Sequence, residues 1–246
     1  VYSLVLYHLK NYSSLNLFLL LIGIVTVFVS GERMATLLSV LYFSFYFLFT
    51  FEKKNFKKIV SLAIFFSLII IAVFHFNKNL NYRYHYFYHY LKDMVINKKS
   101  ISDSAPNYNY FDLFKSGYYV WTHEKLLGVG VRNYRNVCKK ILYEYHGSHI
   151  ADKSCDTHPH NIYSELLAET GIIGIIFFLS FIVVLIFNTV KHDKLELKDK
   201  FIVTLCIIWI FWPIASTGSY FNNYNSSIIW YLLGFVLYSR EINEEI

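Results

Sequence analysis

The chain has 246 residues, a mean hydropathy of +0.37 and only 16% charged residues. Soluble domains carry roughly 25% charge, so the composition argues for an integral membrane protein. The formal charge of +6 comes with no nucleic-acid-binding motif, and nucleic acid is not an expected partner.

Uncharged segments fall at about 11–30, 34–51, 59–76, 172–190, 201–217 and 226–239. They approach or exceed the roughly 18 residues that a membrane span needs. The expected architecture is therefore all-α, a polytopic helical bundle with about six spans. The segment 226–239 is short for a full crossing, which leaves a re-entrant or compressed helix open there. The chain starts on Val1, and its opening VYSLVLYHL reads like the tail of an earlier helix. A missing N-terminal part is expected. The 22 Tyr and 23 Phe suit membrane interfaces, although an AT-rich genome produces the same bias.

Lys and Arg in short loops favour the cytoplasm. The links EKKNFKK (52–58) and KHDKLELKDK (191–200) hold four lysines each and are expected there. Three connections then lie on the outer face: Gly31-Glu32-Arg33, the long segment 77–171, and Gly218 to Asn225. The chain divides accordingly into membrane helices at 1–76, a large periplasmic loop at 77–171 and C-terminal membrane helices at 172–246.

Loops beyond about 12–15 residues usually carry function or structure of their own. Between Asn77 and Thr157 twelve Lys/Arg stand against seven Asp/Glu. That surplus points to an anionic partner or to lipid headgroups. Within the loop, YRYHYFYHY (82–90) reads as an interfacial aromatic segment, and Ser102 to Asn109, with Pro106, as a linker. A helix is predicted over Phe111 to Trp121, then a tight turn at Gly128-Val129-Gly130 and another short helix. Cys138 and Cys155 fall in this exported loop. An oxidising exterior allows them to pair, closing a loop whose chain-entropy value is roughly 3 kcal/mol; two unrelated thiols are the alternative.

Thr157-His158-Pro159-His160 precedes a predicted helix running from Pro159 to a break at Gly171, with Pro tolerated at the first helical position. That places His160 in the first turn, beside unpaired N–H groups that favour anions and a neutral imidazole. It reads as a general base or as a simple cap. Glu165 and Glu169 share one helical face and are expected to pair with loop arginines or to face water. His146, His149, Cys155, His158 and His160 match none of the common structural zinc spacings, so no metal is expected. Arg33 sits between two apolar helices, where a charge needs a partner or a water-filled cavity; a Glu32–Arg33 interfacial pair is the plainer reading. Arg132 and Arg135 are expected on one helix face, with guanidinium geometry suited to diphosphate.

Together these residues resemble the C-terminal half of the O-antigen ligase/polymerase superfamily over nearly the whole chain. SGER (30–33) is similar to the family's serine-rich turn ending in Arg. LLGVGVRNYR (126–135) is similar to the GxG turn of its large periplasmic loop. His160-Asn161, nine residues, then Gly171-Ile172-Ile173-Gly174 match its His-Asn and GxxG element, and GSYFNNYNSS (218–227) also resembles family members.

The resemblance implies a multi-pass glycosyltransferase of the bacterial inner (cytoplasmic) membrane, in lipopolysaccharide or polysaccharide biosynthesis. It would move a glycan from a polyprenyl-diphosphate carrier, such as undecaprenyl diphosphate, to an acceptor at the periplasmic face. The acceptor is a lipid A–core sugar in ligases and the next carrier-linked repeat unit in polymerases. The implied chemistry is inverting, without metal or cofactor. His160 would activate the acceptor hydroxyl, Arg33 would bind the diphosphate, and Asn161 would contact substrate. The family commonly has a second arginine ahead of the GxG turn, but Asn107 to Glu124 contains none. Lys115, Arg132 or Arg135 is expected to replace it. A lipid-linked glycan transporter or flippase, or a non-catalytic assembly partner, is the alternative; the internal repeats and interrupted helices of transporters are not evident.

Overall fold

The computed structural model describes residues 14–50, 56–96, 109–146, 151–152, 154–193, 195–214 and 217–242. Most of the expected lysine-rich link at 52–58, the linker before Asn109, and His149 lie outside them. Among the described residues the regular structure is all helical. The long helices are α1 (Ser14–Val29), α2 (Arg33–Thr50), α3 (Phe56–Phe76), α4 (Lys78–Val95), α5 (Asn109–His123), α6 (Tyr134–His146), α7 (Ile162–Val190), α8 (Leu197–Ile210) and α9 (Asn223–Ile242). The chain forms two compact units. One comprises Val1–Ser104, His192–Trp209 and Gly234–Ile246, the other Ala105–Lys191 and Ile210–Leu233.

In the first unit α1 packs against α2 and α3. Gly31, at φ 76°, ends α1, and its N–H reaches the Phe28 carbonyl. A left-handed glycine after the last helical residue is a common helix stop. The aromatic run 82–90 is helical, and Tyr84 within it secures this turn. Tyr84 stacks on Phe28 at 4.8 Å, donates its hydroxyl to the Phe28 carbonyl and lies 2.8 Å from the Thr36 hydroxyl. Tyr82, on the far side of the helix, and Tyr88, one turn beyond Tyr84, are exposed. Asn77 takes an extended conformation and caps α4 by accepting from the Leu80 N–H. The chain bends there by 102° between Ile64–Phe76 and Lys78–His89.

The second unit is built around α5, which packs on both α6 and α7. Its core gathers Val120, Tyr134, Cys138, Ile141, Leu142, Ala151 and Ala168. Cys138 and Cys155 are disulfide-bonded, with Cα atoms 5.9 Å apart, so the segment leading to His160 is tied to α6.

Helix α7 breaks at Gly171, which takes φ 65° and ψ −165°. Such a break leaves backbone groups without helical partners, and each must find another one if buried. The turn after α5 supplies them. Val129 and Gly130 donate to the carbonyls of Ala168 and Glu169, and Ile172 and Ile173 donate to the carbonyls of Lys125 and Leu126. The approach is close: a Cβ on Gly171 would fall 2.2 Å from the Leu126 oxygen, and one on Gly128 would fall 2.5 Å from the Glu169 carbonyl carbon. Both glycines also hold positive φ. Before the break α7 is mostly buried; after it Ile173, Ile176, Phe177 and Val183 are exposed apolar side chains.

Among the described residues, α7 is the one helix long and apolar enough by itself to cross a membrane. The bent pair Ile64–Phe76 and Lys78–His89 qualifies only jointly. The boundaries of two expected segments shift. The run 201–217 is helical only to Ile210 in α8, because Pro213 lacks an N–H and disfavours a helical residue before it. The run 226–239 lies within the 20-residue α9, longer than its uncharged core indicates.

The interlock makes a direct prediction. Gly171→Ala combines positive φ with a backbone clash and should destabilise the protein by about 2 kcal/mol or more. Gly23→Ala, in a helix with nothing within 4 Å of its Cβ, should be neutral or slightly stabilising. Thermal unfolding of the detergent-solubilised chain distinguishes them, and equal midpoints would contradict the interlock.

Candidate functional site

His160, Asn161, Lys115, Arg132, Arg135 and the disulfide belong to the second unit, whereas Arg33 belongs to the first. The expected helix from Pro159 starts instead at Ile162. Asn161 is its N-cap: the backbone is extended, and the side-chain oxygen accepts from the N–H groups of Tyr163 and Ser164. Asn is among the strongest N-capping residues, so it overrides the proline signal two positions earlier. The Asn161 amide nitrogen donates to the Pro213 carbonyl at 2.7 Å, and the residue is buried. These contacts assign its side chain to holding the helix start.

His160 therefore lies just outside the helix rather than in its first turn. It is one of two described non-glycine residues with positive φ, at 54°, a conformation in which His is enriched. Its carbonyl accepts from the Thr217 N–H at 2.9 Å, which locks the backbone there. Its Nε2 lies 3.1 Å from Asp156 Oδ2, and its ring stands 4.1 Å from that of His158. His158 reaches the Thr217 carbonyl through Nε2 and the Thr157 hydroxyl through Nδ1. The side chain of His160 is 29% exposed, accessible enough to meet a ligand yet restrained.

The charges around it are unequal. The hydrogen bond with His160, aided by the Thr157 N–H, holds the Asp156 carboxyl below its ordinary range. Burial, then repulsion from His160, pushes the His158 imidazole down. Asp156 carried no role in the sequence and His158 entered only as a candidate zinc ligand; the signal present was a carboxylate four residues before the histidine in DTHPH.

Glu165 and Glu169 neither face water nor pair with arginine side chains in the expected way. Both are buried and accept hydrogen bonds, chiefly from backbone. Glu165 takes the Ser219 hydroxyl and the Tyr220 N–H, tying α7 to the segment before α9. Glu169 takes the N–H groups of Arg132 and Tyr134, which is where α6 starts. A carboxylate at a helix N-terminus meets unpaired donors and the favourable end of the dipole. Burial raises both carboxyls despite these bonds. The arrangement also corrects the arginine pair. Arg132 sits in the turn at φ 62°, because its N–H is drawn to Glu169, so it does not share a face of α6 with Arg135. Both charges nevertheless act on the Glu169 carboxylate, and Arg132, Arg135 and Lys115 are all exposed.

In the first unit, Arg33 opens α2 directly after the Gly31 turn. Its guanidinium carbon lies 5.8 Å from the centre of the Phe87 ring, within cation–π reach. The aromatic helix α4 thus orients the side chain.

The fold and this constellation define a helical protein in which a restrained, partly exposed histidine stands at the base of a strongly apolar helix. Residues 18–179, more than half of the chain, match the family model described as O-antigen ligase. The chain belongs to that family, as its motifs led one to expect. No curated protein and no solved structure matches it. Membership implies a glycosyl-transferring enzyme of O-antigen or related polysaccharide biosynthesis.

The lowered imidazole of His158 has a consequence for stability. Above the ordinary imidazole range it is neutral whether folded or unfolded. As pH falls through about 6.5 the unfolded chain takes up the proton first, so the fold loses stability. The raised Glu165 carboxyl works in the opposite direction at lower pH, and a His158→Gln variant isolates the histidine contribution. Hydrogen exchange at the Thr217 amide should report easier opening at pH about 5.5 than at about 7.5, with the difference shrinking in His158→Gln. A pH difference of equal size in the variant would contradict the assignment.

Proposed function

We propose that the chain is part of a polytopic, inner-membrane glycosyltransferase acting at the periplasmic face. In this reading 1–76 and 172–246 supply membrane helices, and 77–171 is the periplasmic loop that carries the chemistry. The donor is a glycan on a polyprenyl diphosphate, and the acceptor is a hydroxyl of a lipid A–core sugar or of the next repeat unit. The observation that carries the proposal is His160. It lies within the matched stretch, in a His-Asn and GxxG element that resembles the family's, and its backbone and ring are both restrained while its side chain stays accessible.

The proposed reaction is a single displacement. His160 takes the proton of the acceptor hydroxyl as that oxygen attacks the anomeric carbon. The new C–O bond forms as the bond to the diphosphate oxygen breaks, and the diphosphate departs with the electron pair. One displacement inverts the anomeric configuration and requires no covalent enzyme intermediate. Arg33, together with Arg132, Arg135 or Lys115 from the loop, stabilises charge developing on the leaving group, the electrostatic contribution that is usually largest. Arg132 and Arg135 stand beside Glu169, towards the Gly171 break of α7, whereas Lys115 follows Phe114, whose carbonyl accepts from the Ser164 hydroxyl near the start of α7. Asn161 serves by fixing the start of that helix.

The proposal is tested in the full-length gene. A general base contributes typically about 10²- to 10⁴-fold, so His160→Ala should abolish visible transfer on a polysaccharide gel, and Arg33→Ala should impair it severely. A clean deletion that leaves bare core with accumulated carrier-linked polymer marks a ligase; core capped by one repeat unit marks a polymerase. Normal ladders in both point variants at normal expression would refute the reading.

A further inference from the structure

The reading of His160 as a base leaves unspecified which ring nitrogen accepts the proton and what keeps it ready to do so. We propose that Asp156 is the positioning residue for His160, fixing the tautomer that presents Nδ1 as the proton acceptor. This inference rests on the function proposed above and adds a residue and an atom to it.

A carboxylate only accepts hydrogen bonds. At 3.1 Å from Asp156 Oδ2, Nε2 of His160 must therefore carry the hydrogen, which leaves the lone pair of the neutral ring on Nδ1. The same contact meets the charge that appears when Nδ1 takes the acceptor proton: the imidazolium forms beside a carboxylate already ionised. The Asp156 carboxyl is itself held in place, since one of its oxygens accepts from the Thr157 N–H. The preceding residue, Cys155, is joined to α6 by the disulfide. On the other side, the His160 carbonyl is fixed by the Thr217 N–H. Backbone and ring are thus restrained by separate partners, and the residue adopts a left-handed conformation that the free chain would rarely select.

The neighbouring titratable groups fit this role. The His158 ring lies 4.1 Å from that of His160, and burial lowers its imidazole, which disfavours a second positive charge beside the developing imidazolium. Its own hydrogen bonds have a consistent direction: Nε2 donates to the Thr217 carbonyl, and Nδ1 accepts from the Thr157 hydroxyl. Glu165, from α7, is near enough to interact electrostatically with His160. Its oxygens are bound by Ser219 and Tyr220, whereas Asp156 hydrogen-bonds the ring directly.

The test uses the full-length protein in nanodiscs with a polyprenyl-diphosphate-linked oligosaccharide and its acceptor, following release of polyprenyl diphosphate across pH. Asp156 is 52% exposed, so its substitution should leave the fold intact. Asp156→Asn should lower kcat about 10- to 100-fold with KM changed by about twofold or less. The acid limb of its rate profile should move to lower pH, because the protonated ring loses the carboxylate that favours it. Asp156→Glu should restore part of the rate and return the limb towards the parent position. A merely structural role would move neither the limb nor its recovery. Parent-like kcat and pH profile in Asp156→Asn, with His160→Ala inactive, would overturn the role of Asp156 and leave the base intact. Full activity in His160→Ala would overturn both.

Discussion

A helix that breaks in its middle orphans backbone donors and acceptors, and this protein satisfies them with a turn from a different part of the chain. The Gly171 break in α7 and the turn at Gly128 exchange hydrogen bonds in both directions, at a separation that excludes a Cβ on either glycine. Two motifs more than forty residues apart are therefore halves of one structural device. Because the turn is pinned, α6 begins where Glu169 can cap it. The disulfide then holds the segment before His160 against α6. These constraints hold the segment around the candidate base, whose own carbonyl and ring are fixed by Thr217 and Asp156.

The carboxylates of α7 illustrate why acidic residues near a reactive centre need not be reactive. Glu165 and Glu169 share a helical face and are buried, an arrangement that would be costly if both stood ionised without donors. Each instead meets two hydrogen-bond donors, and burial raises both carboxyls towards the neutral form. They work as clamps, one towards the 217–222 segment and one towards the start of α6. Asp156 differs: it is largely exposed, lowered, and bonded to the histidine. The chemical distinction among the three lies in burial and partners rather than residue type.

Much of this was legible in the residues. Apolar runs and two paired-glycine motifs are strong local signals, and the break at Gly171, the turn at 128–130 and the helices flanking that turn follow from them. The register of the helix start was not. Pro159 suggested an earlier beginning, whereas the competition was decided by an Asn161 side chain whose second partner, Pro213, lies 52 residues away. Arg132 was misplaced for the same reason, since its left-handed backbone answers to Glu169 across the fold. The aromatic run after Asn77 looked interfacial from composition, but its use as a brace for the Gly31 turn depends on which of its faces Tyr84 and Phe87 occupy. Long-range hydrogen bonds to backbone leave no periodicity, and they settled each of these cases.

In the proposed reaction a restrained histidine deprotonates the acceptor hydroxyl, which displaces the diphosphate directly. The most direct test of this displacement is product stereochemistry: the purified full-length protein in nanodiscs, supplied with a polyprenyl-diphosphate-linked oligosaccharide of known anomeric configuration and its acceptor, with the product analysed by NMR. The account predicts polyprenyl diphosphate released in step with a glycoside of inverted configuration. Retained configuration, or binding of the donor without release of the diphosphate, would contradict it.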